Sequence, residues 1–401
     1  MEKQKKKLMW TILIVALIQM PGLALTPGIN QIRTTAFSDY SLGLVQTALA
    51  FSSLAQPASA FCAAFLINRR IVSKKAVIIF GLCLLAVNGL MATLLNTEFW
   101  HLILLSIVLG VSTGCFISNM FGLMFDNFEH AERQAIAGYQ SAVINAGGII
   151  MGLMGGLLAT YMWYGGYLML LMGLPAAVLV FFTVPNYKVP VREKESEKKK
   201  TKEKLNPRVY YYCIIAFLFM MTYAVCGGNI STHIAAAGTG DSATAGMAVA
   251  FMMGGGVVSG MFFGKLSDKI GDYSLSCGLF AVFAGYTILS IFPMSLPLTY
   301  TAVFLVGVSL SIMLPRCIFM VSTLAVDPST SATATALITI ASPSLGGFMS
   351  PIVITNLTTT LFGESTVARY RFVSFIVVSI AILVAILTML NNNIDERKVR
   401  S

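Results

Sequence analysis

The stretch from Asn186 to Arg208, NYKVPVREKESEKKKTKEKLNPR, decides how the rest of the chain is organised. It holds nine Lys or Arg and four Glu, and it has few apolar residues. Such a segment cannot bury enough apolar surface to fold by itself, so we interpret it as a solvated linker. On either side, residues 1–185 and 209–401 consist of long apolar runs broken by short polar segments. The sequence therefore predicts two membrane-embedded domains joined by a charged linker at 186–208.

The composition of the chain is that of a membrane protein. Of its 401 residues, 56% are hydrophobic and 11% are charged, whereas soluble domains carry about 25% charged residues. The net charge of +10 does not indicate nucleic acid, because the basic residues lie in the linker and at the ends of apolar runs. The seven cysteines lie inside apolar runs and have no metal-ligand spacing. We expect no cofactor, no metal ion and no nucleic-acid partner.

Twelve apolar runs are long enough to cross a bilayer, which takes about 20 residues in a helix. In the first half we predict helices at 8–30, 41–66, 75–95, 99–125, 134–160 and 164–185. In the second half we predict helices at 209–236, 243–264, 273–293, 297–325, 331–360 and 368–391, with Asp327-Pro328 between the fourth and fifth of these. The first run resembles a signal peptide, but it reaches about Pro27 without a small-residue cleavage site. We therefore expect a retained first membrane helix.

The basic residues are distributed so unevenly between the two sides that they predict how the chain is oriented across the membrane. If the N-terminus is inside, all but four of the 27 Lys and Arg fall on the inner side. Arg33, Arg369 and Arg371 are on the outer side, and Arg316 is within predicted helix 10. Positive charge favours the cytoplasmic side. We therefore predict a multi-pass protein of the inner, cytoplasmic membrane with both termini and the linker in the cytoplasm.

The two halves also resemble one another in sequence. LGVSTGCFISN (Leu109–Asn119) aligns without gaps to VGVSLSIMLPR (Val306–Arg316), which pairs Asn119 with Arg316. Shorter matches at Ala64 to Arg69 and Gly264 to Lys269 follow in the same order. These matches suggest a duplicated six-helix unit. Parallel repeats of this kind place the substrate site near the bilayer midplane, between the halves.

The loop GKLSDKIGDYS (Gly264–Ser274) carries a more specific signal. It resembles the G-x-x-x-D-[RK]-x-G signature of the major facilitator superfamily, at the place where that family has its second copy. The first-half copy, AFLINRR, has Ala64 for the glycine and Asn68 for the aspartate. The resemblance implies an all-α fold of two pseudo-symmetric six-helix bundles and a secondary transporter that works by alternating access. It also implies that loop residues control the conformational change, namely Gly264, Asp268, Lys269, Asn68 and Arg69.

Two sets of glycines recur every four residues. They are Gly148, Gly152 and Gly156 in predicted helix 5, and Gly256, Gly260 and Gly264 in predicted helix 8. Each set makes a face without side chains, which allows a neighbouring backbone to approach closely. Because these helices meet in the resembled family, we predict a close contact through Gly152 and Gly260.

Arg316 is the most informative single residue, because predicted helix 10 carries it on the order of 15 Å from the cytoplasmic end. A charged side chain at the bilayer centre costs at least about 2.5 kcal/mol, so we expect it to face a wet cavity or a polar partner. All 17 Asp and Glu fall at helix ends or in loops, so no buried carboxylate partner is evident. Two interpretations stay open: Arg316 anchors an anionic substrate, or it is structural and bonds backbone carbonyls, Asn119 or Asn145.

Amide side chains inside the helices are the other candidates for substrate contact, because buried amides either bond neighbouring helices or line a cavity. The substrate-site prediction consists of Arg316, Asn119, Gln19, Asn30, Gln56, Asn145 and Asn229. Pro21-Gly22 and Pro27-Gly28 should interrupt helix 1, and interrupted helices commonly line transport sites. His233 is either a coupling group or a plain polar residue at a helix end.

The leading functional prediction is a secondary transporter that moves a small organic anion by alternating access. The alternative within transport is an exporter of amphiphilic, drug-like compounds, in which Arg316 is structural and methionines such as Met247 and Met261 line the wall. A non-transporting membrane sensor is the alternative outside transport. An enzyme is not expected, because the helices offer no buried acid, base or metal site, and the lack of a Walker lysine argues against ATP as energy source. The expected partners are a small-molecule substrate and membrane lipid, with the coupling ion left open, and a monomer is expected.

Overall fold

The fold is all-helical throughout the residues that the computed structural model describes, which are 2–185, 205–324, 334, 336–338 and 342–400. Within them, twelve helices are long and apolar enough to cross a membrane. In the first half they are α1 (Gln4–Ala36), α2 (Leu42–Asn68), α3 (Lys74–Leu94), α4 (Phe99–Asn127), α5 (His130–Tyr161) and α6 (Gly165–Thr183). In the second half they are α7 (Pro207–Ala236), α8 (Ser242–Ile270), α9 (Tyr273–Ile291), α10 (Leu296–Leu324), α11 (Ser342–Phe362) and α12 (Thr366–Arg400). The predicted count of twelve is confirmed.

Three predicted features lie outside the described residues. These are most of the charged linker, 186–204, the break at Asp327-Pro328, and most of the first part of predicted helix 11, 331–341. The described end of the linker caps α7. The Asn206 side chain accepts a hydrogen bond from the Arg208 backbone N–H at 3.0 Å, and Pro207 is the first residue of the helix.

The helices form two compact units. One comprises Met1–Thr201 together with Gly240–Ala250, and the other comprises Lys202–Thr239 together with Phe251–Ser401. The first part of α8 thus belongs with the first unit, which was not expected from the sequence.

The same neighbours pack together inside each unit. In the first unit α3 packs against α4 and α6, and in the second α9 packs against α10 and α12. One face of each helix is buried, with Leu82 of α3 and Leu279 of α9 fully enclosed, whereas Phe80 of α3 and Phe280 of α9 are exposed. The same packing pattern in both units is what a duplicated six-helix sequence predicts.

α1 and α11 depart from regular helix geometry. In α1, Pro21–Ala24 and Thr26–Gly28 are 3₁₀ turns, and Ile32–Ala36 is π-helical. The predicted interruptions at Pro21-Gly22 and Pro27-Gly28 are confirmed, because proline removes an N–H donor and clashes with the preceding turn. In α11, Ser350–Thr355 is π-helical and contains Pro351. Such single π turns occur frequently at functional sites.

A close contact between α5 and α8 lies within the first unit. A methyl group on Gly152 would lie 2.7 Å from Val249 Cγ1, and one on Gly156 would lie 2.8 Å from the Cα of Gly246. The predicted glycine contact is thus present on α5, but the pairing with Gly260 is wrong in register. A methyl on Gly260 would meet Ser311 of α10 at 3.8 Å. Glycine spacing defines a face of a helix, but it does not define which turn of that face meets the neighbour.

We expect Gly246→Leu to lower transport turnover by about tenfold or more, because even a Cβ there would lie 2.5 Å from the Gly152 carbonyl oxygen and overpacking costs about 1–3 kcal/mol. Gly254→Leu on the same helix is the control, since no heavy atom lies within 4 Å of its added Cβ. Uptake per inserted protein in proteoliposomes measures the difference. Equal turnover of the two variants would show that the α5–α8 contact plays no part in transport.

Candidate functional site

Arg369 of α12 is fully buried in the second unit. Its Nη1 donates to Asn229 Oδ1 of α7 at 2.6 Å, its Nε donates to Thr358 Oγ1 at 2.9 Å, and its Nη2 donates to Thr359 Oγ1 at 2.9 Å. Both threonines are on α11. We call these four residues the Arg369 site. It brings α7, α11 and α12 together around a side chain that stays charged at any physiological pH.

The three oxygens that accept from Arg369 are held in place by their own helices. The Asn229 amide N–H₂ donates to the Val225 carbonyl at 2.8 Å, which turns its oxygen toward the arginine. The Thr358 and Thr359 hydroxyls donate to the carbonyls of Ile354 and Thr355 at 2.7 Å. These carbonyls end the π-helical turn of α11. The side chains of Asn229, Thr358 and Thr359 are therefore oriented as acceptors for Arg369.

A second polar contact joins α7 and α12 one turn away. His233 Nδ1 lies 3.0 Å from Thr366 Oγ1, and both residues are buried. The His233 ring meets the Tyr370 ring edge-on at 5.2 Å, and Tyr370 stacks on Tyr286 of α9 at 5.4 Å. The other ring nitrogen, His233 Nε2, is buried and has no hydrogen-bond partner among the described residues. A buried imidazole nitrogen without a hydrogen bond costs free energy, so its presence calls for an explanation.

Arg316 has a partner that was not expected from the sequence. Its Nε donates to Asp272 Oδ1 at 2.8 Å, its Nη2 lies 2.8 Å from the same oxygen, and its Nη1 donates to Ser267 Oγ at 2.8 Å. Tyr212 of α7 donates to the other Asp272 oxygen at 2.7 Å. The expectation of no carboxylate partner for Arg316 is therefore wrong. Gly271, at a φ of +56°, turns the chain between α8 and α9 so that Asp272 lies against α10.

A cavity of about 970 Å³ lies beside this ion pair within the second unit. Lys269 and Arg316 line it together with aromatic residues such as Tyr211 and Tyr273. It opens at the end of the unit where α7 begins, so the predicted topology assigns it to the cytoplasmic side. Arg316 thus lines a cavity, but at the loop end of the unit.

The loop residues predicted to control gating are mostly exposed. Gly264, Asp268 and Lys269 are exposed on α8, and Asn68 is exposed at the end of α2. The Arg69 guanidinium lies over the Phe65 ring at 4.6 Å. Within the described parts of the chain Asp268 makes no hydrogen bond or ion pair, whereas Asp272 makes both. The acidic group that holds this loop is thus Asp272, four residues after the predicted one.

In the first unit, the predicted substrate residues mainly bond their own helices. Asn119 donates to the Cys115 carbonyl at 2.8 Å, and Asn145 donates to the Ser141 carbonyl at 2.9 Å. Gln19 is buried, and its Nε2 has no partner among the residues that the structure describes. The remaining two, Asn30 and Gln56, are half-buried. Among the predicted substrate residues, Asn229 contacts a buried charged side chain, the guanidinium of Arg369.

Arg369 was missed as a site residue because it lies at the start of an apolar run next to Arg371. Two arginines two residues apart at a predicted helix end look like ordinary outer-side charges. A weak signal was present, since residues two apart on a helix point in different directions. Arg371 is exposed and Arg369 is buried.

Comparisons with known proteins agree with this architecture. The sequence profile of the Major Facilitator Superfamily matches residues 8–351. The solved structure of the nucleoside transporter NupG is 14% identical, with a TM-score of 0.73 over 96% of this chain and 98% of that chain. An inward-facing, unoccupied bacterial homologue of the human lysosomal transporter Spinster is 12% identical, with a TM-score of 0.72 over 97% of each chain. At these identities the likeness shows the fold alone. A comparison with curated proteins finds no match.

Proposed function

Because this chain belongs to the major facilitator superfamily, we propose that it is a secondary transporter that moves a small organic anion across the cytoplasmic membrane by alternating access. The observation that carries the anion assignment is the full burial of Arg369, which donates hydrogen bonds to the neutral oxygens of Asn229, Thr358 and Thr359. A permanent positive charge is expensive inside a membrane protein and usually marks a substrate or ion pathway.

The chemistry of the Arg369 site suits a carboxylate. A guanidinium presents its donors in a planar fork that matches two carboxylate oxygens. Hydrogen bonds between charged partners are roughly twice as strong as those to neutral oxygens. An arriving carboxylate can therefore replace the two threonine hydroxyls, which keep their own bonds to backbone carbonyls.

Arg316 takes a different part in this proposal. The positive charge of Arg316 is already paired with the Asp272 carboxylate. An anion would therefore have to displace that carboxylate to bind at Arg316. We assign the Arg316–Asp272 pair to control of the cytoplasmic side, together with the loop residues Gly264, Asp268 and Lys269. The first-unit residues Gln19, Asn30, Gln56, Asn119 and Asn145 stay proposed as further lining of the substrate pathway. From the excess of basic residues on one side, we propose that both termini lie in the cytoplasm.

The alternative of an amphiphile exporter has less support. Met247 and Met261 are exposed on α8, whereas Met252 and Met253 are buried. These methionines therefore do not line one common wall, as an adaptable apolar pocket would require.

Counterflow in proteoliposomes tests the proposal. Purified protein is reconstituted with an unlabelled compound inside and the labelled compound outside, for lactate, succinate and citrate as anions, uridine as a neutral nucleoside, and ethidium as an amphiphilic cation. We expect counterflow of at least one carboxylate and none of ethidium. Counterflow of uridine or ethidium without any of the carboxylates would contradict the anion assignment.

A further inference from the structure

We propose that the groove between the start of α1 and the end of α6 binds an anionic phospholipid, whose headgroup is held by Lys6 and Lys7. The site lies within the first unit, and it does not depend on the identity of the transported substrate. We call this surface the α1–α6 groove. Its lining includes Lys6, Lys7, Trp10 and Ile14 of α1 and Leu179 and Phe182 of α6.

A hydrogen bond between the two helices forms the floor of the α1–α6 groove. Thr11 Oγ1 of α1 donates to Thr183 Oγ1 of α6 at 2.8 Å, and both threonines line the groove. The volume of the groove is about 550 Å³, which lies within the usual range of ligand pockets, about 300–1,000 Å³. The groove is therefore large enough for a ligand, and the contact between Thr11 and Thr183 holds its walls in place.

The walls of the α1–α6 groove are apolar and open to the surroundings. The side chains of Trp10, Ile14 and Phe182 are 54%, 45% and 79% exposed. In a helix that crosses a membrane such apolar side chains contact lipid, and tryptophan is typical of the membrane–water interface. Ile14 is four residues, about 6 Å, further along α1 than Trp10. The groove thus offers an apolar surface for an acyl chain that begins at the level of Trp10.

Lys6 and Lys7 place two positive charges at the N-terminal end of this apolar surface. Both side chains are exposed, and within the described residues neither takes part in a hydrogen bond or an ion pair. They belong to the first turns of α1, where the unpaired backbone N–H groups already make the helix end positive. Two neighbouring cations at that end repel each other and the helix dipole, so an anion bound between them lowers the free energy.

The carboxylates at this end of the first unit are already paired with other lysines. Glu132 of α5 pairs with Lys5 at 3.4 Å, and Asp126 of α4 pairs with Lys74. No Asp or Glu is among the described residues that line the groove. The two lysines of the groove therefore have no counter-ion in the described part of the chain, and they favour an anion from the surroundings.

A phospholipid with a net negative headgroup matches both parts of the α1–α6 groove. Basic pockets between membrane helices bind anionic headgroups, because lysine is attracted to the negative membrane surface. A free phosphate would contact the lysines but would leave the apolar walls uncovered. A zwitterionic phospholipid would cover the walls, but the cation of its headgroup would be repelled by the two lysines. The observations therefore favour an anionic phospholipid.

Trp10 provides a reporter inside the α1–α6 groove. The chain has three tryptophans, so Trp100→Phe combined with Trp163→Phe leaves Trp10 alone. This parent protein is reconstituted in mixed vesicles of phosphatidylglycerol and phosphatidylcholine, in which one or the other lipid carries bromine on its acyl chains and quenches a tryptophan that it contacts. We expect phosphatidylglycerol to bind at Trp10 at least about fivefold more tightly than phosphatidylcholine. Adding Lys6→Gln and Lys7→Gln should bring the two affinities to within about twofold of each other.

Arg70→Gln combined with Lys265→Gln is the matched control, because it also removes two exposed basic side chains and both lie outside the groove. The control should keep the preference for phosphatidylglycerol. The proposal is overturned if the parent protein has no preference, if the preference survives Lys6→Gln with Lys7→Gln, or if the control loses it equally. Absence of quenching by either lipid would show that another protein helix covers Trp10, and it overturns the proposal as well.

A measurement on the unaltered chain guards against tryptophan variants that fail to fold. Native mass spectrometry of the protein released from the same mixed vesicles gives the mass of each molecule that stays bound. We expect the wild type and the control variant to retain one phosphatidylglycerol molecule more than the variant with Lys6→Gln and Lys7→Gln. Equal numbers in all three proteins, or retained phosphate without lipid, would contradict a phospholipid site in the α1–α6 groove.

Discussion

Arg369→Gln is expected to weaken anion binding and uptake severely, with a loss of at least about thirtyfold. Removing one partner of a buried charged contact costs about 2–5 kcal/mol, and each 1.4 kcal/mol corresponds to about a factor of ten. Arg369→Lys should keep part of the affinity, because it keeps the charge but loses the planar fork. Ligand binding and uptake are measured on the same purified protein, with Arg371→Gln as the control because Arg371 is exposed two residues further along α12.

Asn229→Asp distinguishes a substrate role from a purely structural role for Arg369. The substitution has nearly the same shape and places a carboxylate where Asn229 Oδ1 accepts from Arg369 at 2.6 Å. If Arg369 binds the anion, this internal carboxylate should compete with it and weaken binding by about tenfold or more, while the melting temperature is kept or raised. A purely structural Arg369 predicts a different result for binding and for melting temperature, and Arg369→Gln shows it. Arg369→Gln would then lower yield and melting temperature, and the surviving protein would bind the anion normally.

The second large effect is expected at the Arg316–Asp272 pair. Arg316→Gln and Asp272→Asn should each lower turnover by about thirtyfold and leave substrate affinity nearly unchanged. The two side chains are 12% and 23% exposed. Breaking a fully buried pair costs about 3–5 kcal/mol and an exposed pair contributes at most about 1 kcal/mol, so an intermediate effect of about 2 kcal/mol is reasonable. Asp39→Asn is the control, because Asp39 is an exposed acid in the loop before α2, outside the proposed gating residues.

The two interpretations of Arg316 predict different outcomes for its partner. If Arg316 anchored the substrate, Arg316→Gln would abolish binding whereas Asp272→Asn would leave it intact or strengthen it. If the pair controls the cytoplasmic side, both variants should behave alike. Exchanging the charges, with Arg316→Asp and Asp272→Arg in one chain, should then restore part of the turnover. Uptake rates and binding affinities of the single and double variants form a cycle that measures the coupling directly.

Arg369 and Arg316 show why single charged residues are hard to assign from sequence. Arg316 stood out because apolar residues surround it, yet its partner Asp272 comes from a loop that a glycine turn folds against α10. Arg369 looked ordinary because it begins an apolar run beside a second arginine. Depth along a helix can be counted from the sequence, but the direction in which a side chain points around the helix axis depends on the neighbouring helices.

The glycines of α5 and α8 show the same limit. Their four-residue spacing correctly predicted that Gly152 lies against α8, because a face without side chains favours close backbone approach. The opposing residue is Gly246 and not Gly260. A shift along the helix by whole turns keeps the face and changes every contact, so spacing alone does not determine the register.

The sequence by itself determined the number of membrane helices among the described residues, their approximate positions and the interruptions of α1. Each of these depends on a local property, either the hydropathy of about 20 consecutive residues or the missing N–H of a proline. The tertiary structure alone decided which polar groups meet. Arg369 and Asn229 are 140 residues apart, His233 and Thr366 are 133 apart, and Arg316 and Asp272 are 44 apart. Such contacts depend on how packing rotates each helix about its axis, and that rotation is fixed by the other helices of the same unit.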